Sequence, residues 1–71
     1  MEKKIISERE FNRRMKDVAN DIIGDGRDIE EVAYDVAENL LYDPELRAYA
    51  ARRVGANKMM MVTYLAESIN P

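Results

Sequence analysis

The 71-residue sequence predicts an all-α fold: a compact four-helix domain built on an antiparallel αα-hairpin, with helices at about 8–23, 29–41, 44–54 and 58–68. Three observations lead to it. Apolar residues recur at alternating spacings of four and three, the signature of one buried helical face. A Ser, Asp or Asn able to cap a helix stands just before each predicted helix. Gly24-Asp25-Gly26 and Gly55 punctuate the first and last of the gaps between them.

Ser7 and Glu10 form an S-x-x-E capping box, so the first helix is expected to begin at Glu8. Phe11, Met15, Val18 and Ile22 follow on one face. Gly24-Asp25-Gly26 then interrupts the helix. Asp28 with Glu31 gives the second start signal, and Ile29, Ala33, Val36 and Leu40 repeat the 4-3-4 stripe. Two matched stripes joined by a short loop predict a hairpin packed face to face. Asp43-Pro44 supplies an N-cap followed by Pro at the first helical position. Leu46, Tyr49, Ala50 and Val54 form the face of the third helix, and Gly55 ends it. Asn57 caps the fourth. Met59–Val62 is the one stretch with some strand character, and the flanking Ala, Glu and Lys favour helix.

This length makes one domain, 1–71, with 1–6 and 70–71 expected as flexible ends. The chain has no Cys and no His. Disulfides are therefore excluded, and no metal site or cofactor is expected. A domain this small commonly gains stability from a partner subunit, so a homodimer is expected. Lack of Cys fits a cytoplasmic location. No apolar run approaches the ~18–20 residues of a membrane span, and the start of the chain lacks the apolar stretch of a secretory signal.

Charge is strongly segregated. Residues 1–16 carry a net +3, residues 17–45 a net −9 and residues 46–71 a net +3, giving −3 overall. Helix 1 places Arg9, Arg13 and Lys16 on one face, roughly 160° from its apolar stripe. Helix 2 places Asp28, Glu31, Asp35 and Glu38 together, roughly 150° from its own. Both faces point away from the shared core, where they either keep the chain soluble or meet partners.

Helix 4 carries apolar residues around nearly its whole circumference: Met59, Met60, Met61, Val62, Tyr64, Leu65, Ala66 and Ile69. Such a helix needs cover on more than one side. Met60, Met61, Tyr64 and Leu65 are therefore expected at a self-interface, the competing reading being that helix 4 is the central helix of the monomer.

Catalytic material is scarce. Ser7, Thr63 and Ser68 lack a neighbouring base, and paired carboxylates on a solvated helix face suit acid–base chemistry badly. No enzyme activity is expected. The loop around Gly26 aligns poorly with a calcium-binding EF-hand: Ile23 and Val32 stand where ligands belong, so it reads as a helix connector. The leading expectation is a small protein-binding regulator, adaptor or inhibitor that acts by its surface. Its acidic face would occupy a basic groove on another protein and compete there with phosphate, a strategy suited to a phage-type accessory protein. The alternative is a small DNA- or RNA-binding regulator using Arg9, Arg13, Arg14, Arg47, Arg52 and Arg53. The acidic middle segment and the nearly uncharged helix 4 oppose it.

Overall fold

A computed structural model describes residues 5–70. It contains four helices in the order α1 (Glu8–Gly24), α2 (Ile29–Leu40), α3 (Pro44–Val54) and α4 (Lys58–Ile69). Every expected helix is present, with ends displaced by at most one residue.

All four N-caps are made by the residues that signalled them. The Ser7 hydroxyl accepts the Glu10 N–H at 3.1 Å, and Asp28 accepts that of Glu30 at 3.0 Å. Asp43 accepts the Glu45 N–H at 2.9 Å, and Asn57 that of Met60 at 3.1 Å. Each satisfies an amide that the helix itself leaves unpaired, a contribution of about 1 kcal/mol per cap. The capping box at Ser7 is only half formed, because the Glu10 carboxylate turns along the helix to Arg13 and Arg14.

The α1–α2 connector closes on itself. Gly26 donates to the Ile23 carbonyl at 2.9 Å and Arg27 to that of Ile22 at 3.1 Å, the paired bonds of a Schellman ending. Gly26 has φ 76°, which a side chain would strain. The loop is therefore the helix connector that its two glycines suggested. Between α2 and α3 the turn uses no glycine: Leu41, Tyr42 and Asp43 donate back to the carbonyls of Glu38, Asn39 and Leu40.

Helix α4 lies at the centre. It packs against α2 most extensively and against both α3 and α1, whereas α1 and α2 meet only sparsely. The stripes of the hairpin thus converge on α4 more than on each other. Ala33 and Ala37 of α2 and Ala66 of α4 are all buried, and small side chains on both helices let their axes approach closely. Phe11, Leu65 and Ile69 fill the middle. Phe11 stacks on Tyr49 of α3 at 4.1 Å between ring centroids and on Tyr64 of α4 at 5.7 Å, so one aromatic cluster ties three helices. Ile5 and Ile6, expected within a flexible end, are half-buried and pack against this core. The rest of the expected flexible leader, and Pro71, lie outside the described residues.

Candidate protein-docking surface

Two charged regions emerge with opposite fates. On α1, Glu10 pairs with Arg13 at 2.6 Å and with Arg14 at 2.9 Å, and Arg13 reaches Asp17 at 3.3 Å. Arg14 also spans to α3, meeting Glu45 at 2.8 Å and Asp43 at 3.8 Å. These two guanidiniums hold the Glu10 carboxyl down at about 2, far below the usual carboxylate range. On α3, Arg53 donates to the Tyr49 hydroxyl at 2.8 Å and lies 5.1 Å from that ring's centroid. Of the six arginines considered for nucleic acid, Arg13, Arg14 and Arg53 are thus committed within the fold. Arg9, Arg47 and Arg52 are exposed, spread over two helices.

The acidic row is different. Asp28, Glu31, Asp35 and Glu38 are all exposed on α2, and none is in an ion pair among the described residues. Their spacings of three and four set like charges side by side, costing about 0.2–0.5 kcal/mol per pair. Glu38 also sits in the last turn of α2, where the helix dipole disfavours an anion and no basic residue compensates. Asp28 alone has a second duty, as N-cap.

Beside this row runs an apolar groove. Tyr34, Glu38, Asn57, Lys58, Met59, Val62 and Thr63 line a volume of about 780 Å³ between α2 and the first half of α4. A smaller hollow of about 480 Å³ continues past Tyr42, Arg47 and Met61 at the C-terminal end of α2. Lys58 and Glu38 line both, so α4 enters where α2 ends and the two helices run in opposite directions.

The residues expected at a self-interface divide. Leu65 is fully buried and Met61 is 6% exposed, both inside the single chain. They are spent on the monomer core: a partner cannot reach Leu65 without opening the fold and meets Met61 only at the edge it shows to the hollow beside Tyr42 and Arg47. Tyr64 is half-buried in the aromatic cluster, and Met60 is 52% exposed. The apolar surface left open is instead Met59 at 78%, Tyr34 at 55% and Tyr42 at 87%. A signal was available for Tyr34: it lies about 130° round the helix from the centre of the Ile29, Ala33, Val36 and Leu40 stripe, on the side toward the acidic row.

No family model, curated protein or solved structure matches the chain. Among the described residues no helix is long and apolar enough to cross a membrane.

Proposed function

We propose that this protein is a non-catalytic protein-binding module that presents the acidic face of α2 to a basic surface on another protein, as a regulator, adaptor or inhibitor. The observation that carries the reading is the uncompensated row Asp28, Glu31, Asp35 and Glu38. It stands exposed while Arg13 and Arg14 of α1 are paired internally, and it weakens its own helix by like-charge repulsion. A cationic partner surface relieves that repulsion, so the row has more to gain from binding than an isolated surface carboxylate. Half of the arginines available for a nucleic-acid surface are already engaged within the fold, which favours the acidic reading over that one.

The test compares wild type with the triple reversal Glu31→Lys, Asp35→Lys and Glu38→Lys as immobilised baits in cell extract. Circular dichroism verifies equal helix content. Proteins held by wild type, released by salt and lost from the reversed bait support the reading. Identical capture by both baits overturns it.

A further inference from the structure

We infer that the groove between α2 and α4 receives an amphipathic helix with Lys or Arg on the flank that meets α2. The inference rests on the acidic-face reading and adds the shape of what docks. The groove spans Tyr34 to Glu38 of α2 and Asn57 to Thr63 of α4, about 6–9 Å along their axes, which seats between one and two turns of a third helix laid alongside. The groove's apolar surface comes from Tyr34, Met59 and Val62. Methionine adapts to varied side chains, and tyrosine offers a wide contact that loses little entropy when fixed. An open trough of this kind leaves a small molecule largely in water, whereas a helix lays successive apolar side chains of one stripe on Tyr34, Met59 and Val62.

Charge selects the occupant. The α2 bank is acidic: Glu38 lines the groove, and the exposed Glu31 and Asp35 share its face of α2 by helical spacing. The α4 bank is neutral through Met59 and Thr63 as far as Glu67. Among the described residues, Lys58 is the one cation lining the groove, at the end it shares with the hollow onto which Arg47 opens. A second copy seated here would bring two acidic banks together, so an occupant that is cationic along one flank fits better.

The experiment uses the full chain, isotope-labelled for NMR, and a synthetic 18-residue peptide of Leu and Lys with Leu at i, i+3, i+4 and i+7. Controls are a Leu/Lys peptide of the same composition in strand alternation and a Leu/Gln helix. The expected result is shifts centred on Tyr34, Glu38, Met59 and Thr63. Affinity should fall about tenfold for Tyr34→Ala, as for a central interface aromatic. Glu38→Lys should weaken binding similarly, and both controls should bind far less well. Shifts confined to Asp28, Glu31 and Asp35, with Tyr34→Ala neutral, would overturn the groove while leaving the acidic face standing. Equal binding of the Leu/Gln helix overturns the charge requirement and the acidic-face reading with it. Light scattering on the free protein closes the remaining route: a dimer that Tyr34→Ala with Met59→Ala converts to monomer makes a second copy the occupant and overturns the proposal.

Discussion

Truncating Leu65 and Met59 separately measures which side of α4 holds the molecule together. Leu65 is fully buried at the meeting of the helices, and Met59 is 78% exposed one and a half turns earlier. Leu65→Ala removes three carbons from a packed interior and leaves a void, a loss of about 3 kcal/mol. A domain of 71 residues has about 4 kcal/mol in total, so most of its stability goes. With a urea dependence of about 1 kcal/mol per molar for so small a chain, the unfolding midpoint should drop by ~3 M. Met59→Ala should move it by less than ~0.5 M, as surface changes do. Urea titrations followed by far-UV circular dichroism, run at two protein concentrations tenfold apart, provide the assay. The reasoning is refuted if the two variants shift equally. It is also refuted if the Leu65→Ala loss shrinks on dilution, because that residue would then be held by another molecule and not by its own chain.

Two glycines in the α1–α2 connector should respond oppositely. Gly24→Ala has open space around the added carbon and ordinary helical backbone, and should stabilise by about 0.5–1 kcal/mol, whereas Gly26→Ala, at φ 76°, should destabilise by about 1 kcal/mol; calorimetric Tm values of the two variants check the signs. Arg14→Met cuts the link from α1 to the start of α3, and its Tm should fall at low salt and recover toward wild type near 1 M salt, where the screening length is about 3 Å. Glu10 titrates at about 2 in the fold against 4.5 ordinarily, so its contribution is complete above pH 4.5 and drains away as the pH falls toward 2; Glu10→Gln should flatten that part of an acid unfolding curve. Burial raises the Tyr64 hydroxyl above its ordinary value of 10, so the unfolded chain ionises first and stability falls as the pH climbs past 10; Tyr64→Phe should remove that component of the alkaline loss.

The helices were legible because their signals are local. Ser7, Asp28, Asp43 and Asn57 act within three residues of themselves, and the 4-3-4 stripes of α1 and α2 require only helical geometry. The orientation of α4 was not legible, since an all-round apolar helix has no stripe to read. What turned Leu65 inward and Met59 outward is the packing of α4 against α2, together with the stacking of Phe11 on Tyr49 and Tyr64. Phe11 lies 38 residues from Tyr49 and 53 from Tyr64 in the chain. The acidic row was visible from spacing alone. That Arg13 and Arg14 are engaged was half visible: their Glu10 partner lies three and four residues away, but Glu45 arrives only through the fold. Tyr42 could not be placed, because it sits in a turn where helical angles no longer apply.

Because the helix that contacts all three others is also the last of the four to be synthesised, the nascent chain has no interior to close upon until that final segment leaves the ribosome. At cellular elongation rates, the residues from Gly55 to Ile69 take about one to three seconds to add. Until α4 has emerged, the apolar stripes of α1, α2 and α3 lack the helix that all three pack against. Any product broken off before α4 is an unfolded peptide open to proteases. Emergence of α4 and acquisition of protease resistance are therefore the same event for this domain.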